Sequence, residues 1–251
     1  MKNLLLIVLF LSILSCNRNA CDDLVVDNEQ YFEWRGNDQS RQVLNKVFDY
    51  LGGRKYWADL RSVYVEYQQE DENFGKYSSK QFQSLDKPQI ILDQQINGVR
   101  LVRILNDSIG WVINDGNMEQ MDELNKNFMY YWYSLDYYKK LHELAVGKNL
   151  EVKFTSQNQL IIFKDEKFYC GFELNKDFIP IAYNRPRFND QNISLRLLEW
   201  NEQDGRKYPA KAESFDHEFE FVVRDIVLSK EDVLKTFNID FSIDGLSKYY
   251  L

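Results

Sequence analysis

Two histidines and three cysteines in 251 residues leave this chain short of the side chains that most catalytic and metal sites need. It has no HExxH, no CxxC, no Walker A loop and no GxSxG. Zinc-protease, dithiol, phosphate-cradling and nucleophile-elbow chemistry therefore lack their residues. His142 falls on a predicted helix and reads as a surface residue. His217 stands between Asp216 and Glu218, but on a strand alternate residues point to opposite faces, so the three cannot share one ion. Basic charge is also in deficit: 31 Lys and Arg against 39 Asp and Glu give a net −8. That balance argues against a nucleic-acid partner, which needs clustered cations to neutralise phosphates, and against a polybasic grip on anionic lipid. Acids are plentiful, yet neighbours such as Asp22-Asp23 and Glu231-Asp232 do not make a pair facing across a cleft at about 5–10 Å, as glycoside hydrolysis requires. Cys170 lies among Phe168, Tyr169, Gly171 and Phe172 with no base beside it, which favours a structural thiol over a nucleophile. No catalytic site is visible, no cofactor or metal is indicated, and the expectation is a protein that is not an enzyme.

The sequence also lacks the roughly 20 consecutive apolar residues that span a bilayer. Its longest apolar stretch, Leu4 to Leu14, is interrupted by Ser12, follows Lys2, and leads into Ser15 and Cys16. This is the layout of a secretory signal. Ile13-Leu14-Ser15-Cys16 resembles the bacterial lipoprotein signal, in which the chain is cut before the cysteine and the cysteine is lipidated. The resemblance implies a signal over 1–15 and a lipid anchor such as palmitate on Cys16. It also implies an outer-membrane location facing the periplasm, with surface exposure as the alternative. Each acyl methylene buried in the membrane stabilises the anchor by about 0.8 kcal/mol. Losing Lys2 with the leader takes the net charge from −8 to −9. Cys21 and Cys170 remain and could form a disulfide in an exported protein. Because Cys21 sits in a polar segment and Cys170 in an apolar strand, a free buried Cys170 is favoured.

Residues 16–30 are polar and acidic and read as the lipidated cysteine with a tether. Residues 31–251 read as one domain. Val43, Leu44, Val47, Phe48 and Leu51 recur at helical spacing and predict a helix from about Gln39 to Leu51, ended by Gly52-Gly53. From Arg61 the pattern becomes strands: Ser62–Tyr67, then short runs near 90–92, 99–105, 110–114, 151–155, 160–164, 167–174, 179–184, 193–200, 210–215 and 219–228. Asn97-Gly98 and Asp204-Gly205 predict type I′ hairpins, and Asp115-Gly116 another turn. Many short strands joined by tight turns make an antiparallel sheet. Met121 to Ala145 is helical, with a break expected between Ser134 and Tyr137. Ser229 and Asp232 suggest the cap of a last short helix.

Aromatics are abundant, with 16 Tyr, 17 Phe and 5 Trp. Tyr and Trp suit walls that meet both grease and water. Phe128 to Tyr133 is aromatic around the whole helix circumference. That helix is either sandwiched in the core or set as a plug over an apolar cavity. On Lys167–Leu174, alternation puts Phe168, Cys170, Phe172 and Leu174 on one side, as solid core or as cavity wall.

Taken in order, several segments are similar to a known family. They are Leu51-Gly52-Gly53 with Trp57 to Val63, Gly110-Trp111 with Asp115-Gly116, the aromatic helical insert, Phe172 to Ile181, Trp200 to Pro209, Val222 to Ile226, and Phe237. Over about residues 40–241 the chain resembles the outer-membrane lipoprotein carrier and receptor superfamily, the LolA/LolB-like proteins, in a Bacteroidota-type lipoprotein form. The resemblance implies an α+β fold: a large antiparallel half-barrel of about ten or eleven strands, wrapped around a few helices and enclosing an apolar cavity for acyl chains. Alternation nominates Val63, Val65, Tyr67, Trp111, Phe128, Trp132, Phe168, Phe172 and Leu174 as the cavity wall. The expected function is binding of a lipid, a lipoprotein acyl group or another apolar ligand, in lipid or lipoprotein transport. The rival expectation is a module that docks another envelope protein.

Overall fold

The computed structural model describes residues 32–72, 75–186 and 192–231. The signal, Cys16, the tether, Cys21 and the helix expected beyond Ser229 lie outside the described residues.

Among the described residues the first helix is α1 (Asp38–Tyr50), whose N-cap Asn37 accepts a hydrogen bond from the Ser40 amide. Its apolar stripe buries Val43, Leu44, Val47 and Phe48. Leu51 caps the C-terminus, and Gly52 follows at φ +100°, where a Cβ would meet the Gly205 carbonyl oxygen at 1.9 Å. Only glycine permits this approach of the helix end to the hairpin at 204–205. A short helix not anticipated from the sequence, α2 (Arg54–Ala58), then buries Trp57 completely, its indole donating to the Leu51 carbonyl at 3.0 Å.

Six strands follow as a meander: β1 (Ser62–Asp71), β2 (Gly75–Ser84), β3 (Gln89–Ile96), β4 (Val99–Asn106), β5 (Ile109–Asn114) and β6 (Asn117–Gln120). Helices α3 (Glu123–Leu135) and α4 (Tyr137–Val146) come next. A second meander completes the sheet: β7 (Leu150–Phe154), β8 (Gln159–Lys164), β9 (Lys167–Leu174), β10 (Pro180–Pro186), β11 (Asn192–Gln203), β12 (Arg206–Ser214) and β13 (Phe219–Ser229). The last strand returns to pair antiparallel with β1, from Ser62 against Ser229 to Asp71 against Phe219. One thirteen-stranded antiparallel sheet results, in the order β6-β5-β4-β3-β2-β1-β13-β12-β11-β10-β9-β8-β7. Its end strands β6 and β7 are not paired with each other, so the barrel is unclosed.

The strand count exceeds the ten or eleven expected because β2 and β6 carry little apolar signal. The inward residues of β2 are polar, and Ser79, Gln81 and Gln83 are all buried. The hairpins at Asn97-Gly98 and Asp204-Gly205 have positive φ at both residues, as type I′ turns require, and so does Asp115-Gly116. The expected break in the 121–145 helix falls at Asp136, which ends α3 at ψ 135° and caps α4 by accepting from the Lys139 amide.

The main core gathers Val47 and Phe48 of α1, Trp57 of α2, Leu141 and Leu144 of α4, and inward residues of β1 and β7–β13. Strands far apart in the sheet order meet in this one cluster, so the sheet curls around the helices as a half-barrel. A second cluster packs Met129 and Tyr133 of α3 on Ile90, Leu92 and Leu105. A third, on the opposite face of β3–β5, joins Ile91, Val102, Ile104 and Ile113. Among the described residues no helix is long and apolar enough to cross a membrane.

Candidate functional site: an aromatic cavity beneath the helix elbow

A cavity of about 80 Å³ lies where the α3–α4 elbow crosses the middle of the sheet. From the sheet it is walled by Tyr67, Tyr183, Leu195, Leu197, Phe219 and Phe221, and from the helices by Trp132, Leu135, Tyr137 and Tyr138. Gln69, Gln81, Asp136 and Arg185 add polar groups. The rings interlock edge to face: Tyr67 with Phe221 at 5.5 Å and 78°, and Tyr137 with Tyr183 at 5.0 Å and 88°. Such pairs add about 0.5–1.5 kcal/mol beyond their burial.

The polar groups are organised by Asp136. Its carboxylate accepts from Gln81 Nε2 at 2.9 Å, from Gln83 Nε2 at 2.8 Å and from the Lys139 amide at 2.9 Å. Gln81 Nε2 also donates to Gln83 Oε1 at 2.9 Å, while Gln81 Oε1 accepts from Trp132 Nε1 at 3.1 Å. Burial raises the Asp136 pKa, and the donors from Lys139, Gln81 and Gln83 oppose that shift. The network ties α3, α4 and β2 together at the rim of the cavity.

Two wall residues are left incomplete. The Tyr137 and Tyr183 hydroxyls are buried and have no hydrogen-bond partner among the described residues. Burial drives both phenols well above their ordinary pKa, so both remain neutral O–H groups. A buried polar group without a partner costs about 1–3 kcal/mol.

Of the nine wall residues nominated by alternation, Tyr67 and Trp132 line this cavity. Val63, Val65, Phe172 and Leu174 lie in the main core, with the Phe172 ring packed 5.5 Å behind that of Tyr183. Trp111 packs on the third cluster, across the sheet from α3. Phe128 is 36% exposed, with its ring 6.0 Å from that of Trp132. Phe168 leaves the inward row because the β8–β9 register slips between Ile162 and Phe163. Its ring instead lies on the side to which a Gly171 Cβ would point, 3.7 Å from that position. Sequence reasoning missed Gln81, Asp136, Tyr137, Tyr183, Leu195, Leu197, Phe219 and Phe221. Tyr137 and Asp136 were obscured by the helix break, and Gln81 by being polar inside.

The histidines differ from expectation. His142 is buried rather than exposed, with Nδ1 3.1 Å from the Trp57 carbonyl oxygen. His217 sits on the turn between β12 and β13 at φ +61°, 3.4 Å from a Glu213 oxygen. Among the described residues no three His, Cys, Asp or Glu side chains are placed to hold a metal ion. Cys170 is free and buried.

The fold defines an open antiparallel half-barrel closed over by a pair of helices. No protein-family model matches the sequence, and no curated protein matches it. The chain is similar to solved structures of other proteins. One is a LolA superfamily protein from Nitrosomonas europaea, at 11% identity and a TM-score of 0.42, over 84% of this chain and 99% of that one. Another is a domain described as an outer membrane lipoprotein-sorting protein from Vibrio parahaemolyticus, at 9% identity and a TM-score of 0.40, over 74% of this chain and 94% of that one.

Proposed function

We propose that this chain is a lipid-anchored envelope lipoprotein, held by Cys16 at the outer membrane and facing the periplasm. Its half-barrel binds the acyl part of a lipid or lipoprotein in the aromatic cavity. The observation that carries this reading is the wall itself. Aromatic and aliphatic side chains from both the sheet and the helix elbow converge on one space, with a few polar groups at its rim, which is the usual make-up of a site for an apolar ligand.

At about 80 Å³ the cavity is well below the about 300–1,000 Å³ of ordinary ligand pockets. Uptake therefore requires α3 to move. The helix pair is unequal in this respect. Along α3 only Met129, Tyr133 and Leu135 are buried, whereas α4 buries Tyr138 through His142 together with Leu144 and Ala145. The less committed helix is the one that opens at low cost. Its displacement would break the bond from Trp132 to Gln81 and widen the cavity.

The small volume also favours a second reading, in which the half-barrel is a docking module for another envelope protein. In that case Leu124 and Phe128 on α3, 70% and 36% exposed, offer the contact. Uptake of a fluorescent fatty acyl probe by the purified chain separates the two. Binding is expected in the native protein and is expected to be lost in Leu195→Trp, which fills the cavity. A native protein that takes up no acyl probe overturns the lipid reading in favour of docking.

A further inference from the structure

The tyrosine pair at the elbow extends the acyl-binding reading, on which this inference rests. Tyr137 begins α4 and Tyr183 lies on β10, so the two are brought together only by the fold. Their rings are in edge-to-face contact at 5.0 Å, both line the cavity, and both hydroxyls are buried without a partner among the described residues. By contrast, the carboxylate at the same end is saturated. Asp136 takes both glutamine amides and the Lys139 amide, so those groups are occupied with one another. Beside the Arg185 guanidinium and Gln69, what this end offers a guest is two neutral O–H donors set among apolar side chains. Such donors match an acceptor oxygen attached to a hydrocarbon chain, and a simple hydrocarbon would leave them unpaired. Asp136 and Arg185 bring one charge of each sign to this wall, so their charges offset each other and a neutral acceptor adds no further charge to the low-dielectric space.

We propose that Tyr137 and Tyr183 form a hydrogen-bonding subsite for the carbonyl oxygen of an acyl ester, so that the protein holds its guest by the ester as well as by the chain. Both hydroxyls donate and the carbonyl oxygen, with its two lone pairs, accepts. This selects acylated molecules over hydrocarbons of equal length, and neutral esters over free fatty acids.

The test is competition for the cavity of the purified chain between a neutral naphthylamine dye and three guests: methyl decanoate, decanoate and undecane. The native protein is expected to prefer methyl decanoate to undecane by about tenfold or more, since each hydrogen bond made by a buried donor is worth roughly a factor of five. In Tyr137→Phe/Tyr183→Phe that preference is expected to fall towards unity, with Tyr183→Phe alone intermediate. Removing a buried hydroxyl that lacks a partner relieves its desolvation cost and is neutral to stabilising, so the variants are expected to fold, as circular dichroism would verify. Equal binding of ester and alkane by the native protein overturns the subsite while leaving acyl binding standing, because water then satisfies the phenols. A preference that persists in the double variant overturns it as well. Tighter binding of decanoate than of its methyl ester overturns the choice of a neutral ester and assigns the site to free fatty acid paired with Arg185. Failure of every guest to displace the dye overturns the acyl-binding reading itself.

Discussion

Replacing Trp132 with alanine separates the two roles assigned to that side chain, as packing for α3 and as a wall of the cavity. The indole is partly buried, lies against Phe128, and donates to Gln81 Oε1 at 3.1 Å. An indole so covered removes roughly 100–150 Å² from water, which at about 25 cal/mol per Å² is an upper limit of about 2.5–4 kcal/mol. The hydrogen bond adds little, because water entering the widened cavity can donate to Gln81 in its place. A loss of about 2–3 kcal/mol in a domain of this size lowers Tm by roughly 5–10 °C. Chemical denaturation at constant m-value measures the first quantity, and acyl-probe titration the second. Uptake is expected to rise, since the variant enlarges a space otherwise too small for a chain and removes the bond that must break when α3 opens. A stability loss with unchanged uptake would refute the gating role of α3. Unchanged stability would refute the packing argument itself.

Further expectations follow from the buried polar groups. Asp136→Ala is expected to cost about 3 kcal/mol, because it removes the α4 cap and strands the Gln81 and Gln83 amides. Asp136→Asn, which keeps one acceptor, is expected to cost about half that, and urea melts of the two variants would check the order. Burial lowers the His142 pKa, with Lys139 acting the same way and the Trp57 carbonyl, Asp86 and Glu143 opposing. The unfolded chain therefore takes up the proton first, and stability is expected to fall as pH drops below about 6.5, with His142→Gln flattening that dependence between pH 7.5 and 5.5. Burial pushes the Cys170 thiol up to about 12, so iodoacetamide at pH 8 is expected to leave it unmodified in the native protein and to alkylate it in denaturant.

Much of the scaffold could be read from local pattern. The apolar stripe of α1, the glycine stop at Gly52, the type I′ turns and the break near Asp136 all express preferences of a few neighbouring residues. The strands with apolar inward rows were equally plain. What escaped was β2, because its inward row is Ser79, Gln81 and Gln83. Those side chains are stable inside because Gln69 on the neighbouring strand β1, and Trp132 and Asp136 much farther along the chain, supply their hydrogen bonds. The site was hidden for the same reason. Alternation shows that Val63, Phe172 and Leu174 point inward. It does not show where inward-facing residues meet solid core and where they meet space, since that depends on how helices from mid-chain lie across strands from both ends. Phe168 illustrates a further limit, since one β-bulge moved it off the row that strict alternation assigned.

The central claim is that the elbow cavity holds an acyl chain, and native mass spectrometry of the chain purified from envelopes tests it most directly. Bound lipid that is lost in Leu195→Trp and retains its ester linkage on extraction is the predicted result. A mass with no bound lipid, and none gained on adding acyl esters, would contradict the account and move the function to protein docking.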